Sequence, residues 1–171
     1  MHNWNPTTGT AYLTSGIGYG REKLSAFDAA ELDANIMAAN AVKVSSFIPP
    51  GWEISREKAD LPSFTNNGMF LPMAYAYSTS KDVPVAASLA IGVNRDARRA
   101  SIIMEHAALG ISRDLSLQIS ETNVQDAFAA RDWTIDRLEK VAVEARPKDG
   151  LYVCALVAVV FIAGQGGSEH D

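Results

Sequence analysis

Leu151-Tyr152-Val153-Cys154-Ala155-Leu156-Val157-Ala158-Val159-Val160-Phe161-Ile162-Ala163 is the strongest apolar run in the chain, bounded by Asp149-Gly150 and by Gly164-Gln165-Gly166-Gly167. It is too short to span a bilayer as a helix, which takes about 20 residues. Rich in β-branched residues and alanine, it reads as a strand buried on both faces, in the middle of a sheet or between layers. Working backwards, Leu138 to Ala145 reads as a second strand. The turn Arg146-Pro147-Lys148-Asp149-Gly150 joins the two, which are expected to close the sheet together.

The remaining segments fill in an α+β order. Asp114 to Arg131 carries Leu115, Ile119, Val124, Ala127 and Phe128 at mostly helical spacing, interrupted by Ser120-Glu121-Thr122. Before it, Met69 to Thr79, Val85 to Val93 and Ala100 to Glu105 read as strands, and Leu61 to Gly68 has turn chemistry. Ala41 to Ile48 reads as one strand stopped by Pro49-Pro50-Gly51, which cannot continue a ladder. Ser25, with Asp28 three residues on, is the N-cap signal of a helix that Phe27, Ala30, Leu32, Ile36 and Met37 carry to about Ala39. Ser15-Gly16-Ile17-Gly18-Tyr19-Gly20 implies a tight turn or a close approach to something. A phosphate loop is the weaker reading, because no Lys-Ser/Thr pair follows and no convincing strand precedes. One helix, a run of strands, a long helix and two strands is α+β, not alternating α/β.

At 171 residues the chain is one domain, and with 47% hydrophobic and 20% charged residues it has material for a packed core. The formal charge of -5 comes without a basic block, so no nucleic-acid partner is expected. A single cysteine, Cys154, excludes an internal disulfide framework and a cysteine-based zinc site. His2, His106 and His170 are too scattered for a metal site, and none is expected. The polar start, Met1 to Tyr12, lacks the features of a secretory signal, so no membrane association and a cytoplasmic location are the expectation.

Spacing alone reveals no nucleophile elbow and no zinc-protease motif. However, Leu24-Ser25-Ala26-Phe27-Asp28-Ala29-Ala30, Asn40-Ala41-Val42-Lys43-Val44-Ser45-Ser46-Phe47-Ile48-Pro49-Pro50-Gly51 and Ile102-Ile103-Met104-Glu105 together resemble the pyruvoyl-dependent arginine decarboxylase family. The similarity runs from about Ser15 to Ile162, and the V-S-S-x-I-P-P-G element is its most specific part. The resemblance implies a four-layer αββα sandwich and a self-cleaving chain. The hydroxyl of Ser46 attacks the carbonyl of Ser45 to turn the peptide into an ester. β-Elimination then splits the chain, and hydrolysis leaves a covalent pyruvoyl group where Ser46 stood. Residues 1–45 would form a β chain and 46–171 an α chain of the same single domain. A strand end held by Pro49 and Pro50 is a place where backbone strain can be stored.

The implied reaction is decarboxylation of L-arginine to agmatine and carbon dioxide through a Schiff base on the pyruvoyl ketone. By the same resemblance, Glu105 is the acid that protonates the former α-carbon. That role needs a carboxyl kept protonated by an apolar pocket or a neighbouring carboxylate. His106 is its rival. Asn40 would hydrogen-bond the oxyanion at the Ser45 carbonyl or the substrate, although Asn is also a common helix C-cap. Asp28 would face the substrate guanidinium, since carboxylates pair bidentately with that group. Its position also fits a capping box with Ser25, and substrate contact is the favoured role.

Two positions depart from the family pattern. Glu31 stands where relatives tend to be aliphatic, one turn from Asp28, and Asn35 replaces a glycine near the helix end. Both bear on substrate identity more than on reaction class. The resemblance further implies a homotrimer of αβ protomers, or a dimer of trimers, with the site between neighbours and a place in polyamine synthesis. Two alternatives stay open: the same chemistry on another amino acid, and an unprocessed relative serving as a structural or regulatory subunit.

Overall fold

The structure is a computed structural model that describes residues 8–36, 38–56 and 68–164. Tyr152–Ala163 forms strand β9, at the centre of a five-stranded sheet in the order β2-β5-β9-β1-β4. Its partners are β1 (Gly9–Gly20) and β5 (Phe70–Ser80), both antiparallel to it. β2 (Asn40–Lys43) lies parallel to β5 and β4 (Glu53–Ser55) parallel to β1, as the two edges. A second, four-stranded sheet has the order β3-β7-β6-β8, built from Phe47–Ile48, Ser101–Leu109, Val85–Asn94 and Ile135–Ala145. Two helices complete the mixed α+β fold, α1 (Lys23–Asp33) and α2 (Arg113–Ala129).

Alternation along β9 sets the layering, because successive side chains leave opposite faces of a strand. Val153, Ala155, Val157, Val159 and Phe161 meet Leu89, Ile91 and Ile103 of the second sheet in the central core. Cys154, Leu156, Ala158 and Val160 face the other way, onto Ala26, Ala30 and Ala34 of the α1 segment. The outer face of the second sheet packs on Val124, Ala127 and Phe128 of α2 through Ala90 and Ile102. The stack α1, sheet, sheet, α2 is compatible with the αββα sandwich. The doubly buried character of Leu151 to Ala163 is borne out, and nine of the twelve residues of β9 are buried.

Four expectations are corrected. β8 and β9 do not close one sheet: each belongs to a different sheet, and the turn at 146–150 carries the chain across the core. Gly150 and Asp149, both at positive φ, make that turn. The glycines at 16 and 18 do not turn the chain either. They lie within the straight strand β1, and a Cβ on either would overlap the backbone of Ala30. α1 therefore lies directly on the strand, and the close approach expected there is to this helix.

The helix itself is shorter and starts earlier than read. Glu22 is its N-cap, and Ser25 sits in the first turn, where its hydroxyl accepts from the Glu22 N–H at 3.1 Å. It ends at Asp33 because Asn35 turns left-handed, φ 61°. The Asn35 N–H donates to Leu32 O and the Ile36 N–H to Glu31 O, both at 3.0 Å, the paired closure of a Schellman cap. Lastly, Ala41 to Ile48 is not one strand but two short ones in different sheets, broken at 44–46. The readings for 61–67, for Met37 and for the tail from 166 lie outside the described residues.

Candidate active site

Residues 44–46 are the crossing between the two sheets. The Val44 N–H still donates to Met73 O of β5 at 3.0 Å, while Ser46 O accepts from the Ile103 N–H of β7 at 2.9 Å. The chain is thus anchored to one sheet just before the Ser45-Ser46 bond and to the other just after it. Within the crossing, the Phe47 N–H donates to Ser45 O at 3.0 Å, a one-residue turn about Ser46. That places a donor on the carbonyl that the sequence reading marks for attack. Pro49, Pro50 and Gly51 (φ 80°) then redirect the chain towards β4.

The neighbours of Ser46 come from β7 and β2. Ser46 Oγ is 3.5 Å from Glu105 Oε2, at the outer limit of a hydrogen bond. The other carboxylate oxygen, Oε1, is 3.9 Å from Lys43 Nζ, and the Glu105 side chain is only 18% exposed. Lys43 Nζ in turn lies 5.1 Å from the centre of the Tyr75 ring. Among the described contacts Glu105 therefore faces a cation and a hydroxyl.

His106 leaves the opposite face of β7. Its Nδ1 lies 3.0 Å from Ser116 Oγ, and Ser116 and Ser120 of α2 both meet Ser88 Oγ at 2.8 Å. This geometry favours Glu105 over His106 as the group beside Ser46. Asn40 opens β2, and its Nδ2 donates to Gly68 O at 2.6 Å, so the structure does not bring it to Ser45. Asp28 is exposed on α1, outside the capping-box position that competed for it. No described hydrogen bond or ion pair joins it to Ser46.

Two features escaped the sequence reading. Lys43, one residue before Val44, gave no signal beyond its charge. Phe27, Tyr75 and Tyr77 form a ring cluster with centroids 4.5 to 6.4 Å apart, and these rings line a groove of about 330 Å³ with Lys23, Leu24 and Thr79. On the same helix face the Glu31 carboxyl is pushed up to about 7, by burial and then by the Asp28 charge. The Cys154 thiol beneath it is pushed up to about 12 by burial and then by Glu31, so it stays protonated. Among the described residues no cluster of His, Cys, Asp and Glu could hold a metal ion, and no helix is long and apolar enough to cross a membrane.

The sequence model of the family described as pyruvoyl-dependent arginine decarboxylase matches residues 10–165. Curated relatives carrying that name agree over most of both chains. The protein from Methanococcus aeolicus is 32% identical over 161 residues, 93% of this chain and 93% of its own. That from Methanocaldococcus jannaschii is 31% identical over 147 residues, 84% of this chain and 85% of its own. That from Thermococcus kodakarensis is 28% identical over 153 residues, 88% and 94% of the two chains. With a family match covering nearly the whole chain, and relatives of this similarity end to end, the chain belongs to the pyruvoyl-dependent arginine decarboxylase family.

Proposed function

We propose that this chain decarboxylates L-arginine to agmatine and carbon dioxide with a pyruvoyl group made from its own Ser46. Family membership carries the reaction class and the cofactor. The observation that carries the assignment of Ser46 is its place at the crossing, next to Glu105 and with its carbonyl held by the Ile103 N–H. Those contacts fit the group: cleavage before Ser46 leaves the new end of the α chain (46–171) anchored to β7, while the β chain (1–45) keeps its ladder with β5. When formed, the group supplies an electrophilic ketone and an adjacent carbonyl that takes up the electrons released as carbon dioxide leaves.

The chain's own residues do the rest. Ser45 supplies the carbonyl that Ser46 attacks, with the Phe47 N–H against its oxygen. Glu105, poorly exposed and aimed at residue 46, moves the proton that completes the product. Asn40 spends one amide N–H on Gly68 O and keeps a second donor and its own oxygen for substrate. Asp28 receives the guanidinium. In this reading the substrate pocket is completed by a neighbouring copy, as in a trimer of αβ protomers. Leu24, Leu32, Val42, Phe47 and Phe70, all well exposed, are the apolar surface such a neighbour would cover. A location in the cytoplasm and a role in polyamine synthesis are consistent with this chemistry.

The test is release of carbon dioxide from a panel of amino acids. Arginine should be turned over with equimolar agmatine, and Ser46→Ala should release none. Turnover of another amino acid in preference to arginine, or activity surviving in Ser46→Ala, would refute the assignment.

A further inference from the structure

The carboxylate of Glu105 is shared between two groups, one on each oxygen: Ser46 Oγ at 3.5 Å from Oε2 and Lys43 Nζ at 3.9 Å from Oε1. Lys43 is the last residue of the edge strand β2, and Glu105 belongs to β7 of the other sheet. The ammonium therefore reaches across the opening through which residues 44–46 pass. A lysine side chain is long and flexible, but this one is seated by the Tyr75 ring, 5.1 Å away, whose face attracts a cation. Among the described residues, Glu105 is the one side chain within hydrogen-bond reach of Ser46 Oγ, and Lys43 the one cation paired with Glu105.

We propose that Lys43 is a positioning residue for self-cleavage: seated on Tyr75, its ammonium holds one oxygen of the Glu105 carboxylate so that the other is turned to take the Ser46 hydroxyl proton. The inference rests on reading Ser46 as the source of the pyruvoyl group. As that proton passes to Glu105, Ser46 Oγ bonds to the Ser45 carbonyl carbon. The C–N bond of the same peptide then breaks, and Glu105 returns the proton to the Ser46 nitrogen. The products are an ester and a free amine, and nothing else is consumed. Negative charge on the Ser45 oxygen is met by the Phe47 N–H, 3.0 Å away before any reaction.

The charged and titratable groups around Glu105 are few. β2 contributes Lys43, and β5 contributes Tyr75 behind it. β6 opposes Glu105 with Leu89, and α2 packs on the other face of β7, where His106 meets Ser116. Removing the ammonium leaves no other cation against the carboxylate among the described residues. The carboxylate is then free to turn away from Ser46, and fewer molecules have the acceptor in place.

The test follows cleavage itself, by intact mass, in full-length chains made by cell-free synthesis and incubated between about pH 5 and pH 9. Lys43→Met should slow splitting about tenfold at each of these pH values, because the carboxylate loses the cation that orients it towards Ser46. Lys43→Arg should restore most of the wild-type rate, since it keeps a cation against the carboxylate. A Lys43→Met chain that splits at the wild-type rate, or a Lys43→Arg chain as slow as Lys43→Met, would overturn the role. Should Lys43→Met not fold by circular dichroism, Tyr75→Leu, which unseats the ammonium without removing it, should slow splitting too. An unchanged Tyr75→Leu profile would then overturn it. A wild-type chain that never splits overturns the reading of Ser46 instead, which separates the two failures.

Discussion

Glu31 offers a prediction with a magnitude. It is half-buried on α1 beside Asp28, and its carboxyl is raised from an ordinary 4.5 to about 7 by burial and then by that neighbour. Below about pH 4.5 both folded and unfolded chains hold the proton, so nothing is lost. Between about pH 4.5 and 7 the unfolded chain ionises first, the fold binds more protons, and stability falls as pH rises. Above about pH 7 the full penalty persists. At about 1.4 kcal/mol per unit the unscreened shift is worth about 3 kcal/mol. Half exposure lets solvent screen it, which leaves about 1 kcal/mol. Glu31→Gln carries no charge at any of these pH values. In a Ser46→Ala background, where the chain stays in one piece, urea unfolding at about pH 5 and pH 8 should show Glu31→Gln gaining about 1 kcal/mol over its parent between the two. Asp28→Asn, by removing the neighbouring charge, should recover a smaller part of the same gain. A difference between Glu31→Gln and its parent that is flat across this range, or of opposite sign, would refute the reasoning.

Other perturbations test separate parts of the account. Glu105→Gln should slow splitting, and in the fraction that does split it should lower the decarboxylation rate per pyruvoyl group by about 10²- to 10⁴-fold, the usual worth of a positioned proton donor; a rate per group equal to wild type would remove Glu105 from the reaction. Ser88→Ala deletes the hydroxyl that two fully buried serines share, so it should cost about 1 to 3 kcal/mol by urea unfolding. Replacing Ser88, Ser116 and Ser120 together by alanine should cost less than the sum of the single changes, because no orphaned hydroxyl is left.

The elements read best from sequence are those whose own composition decides them. β9 is apolar almost throughout, so it had to be buried on both faces, and α2 declares itself by its long apolar spacing from Leu115 to Phe128, although its cap, Ser112, whose hydroxyl accepts from the Leu115 N–H, was not read. What could not be read depends on partners distant in the chain. Gly16 and Gly18 look like a turn until Ala30 is placed on top of them. The single strand expected from Ala41 to Ile48 breaks because Val44 and Ser46 find backbone partners in different sheets, Met73 and Ile103. Family resemblance singled out Ser46 and Glu105, which the fold brings within 3.5 Å of each other. Lys43 was not singled out, since a lysine on an edge strand is ordinary until its ammonium is seen between Tyr75 and Glu105.

The most direct measurement of the central claim is the intact mass of freshly purified protein, before and after borohydride. The account predicts two fragments, residues 1–45 and 46–171. The larger should be lighter by one ammonia than simple hydrolysis would leave it, and should gain two hydrogens on reduction. A single full-length chain, or an α fragment that keeps its amino terminus and ignores borohydride, would contradict it.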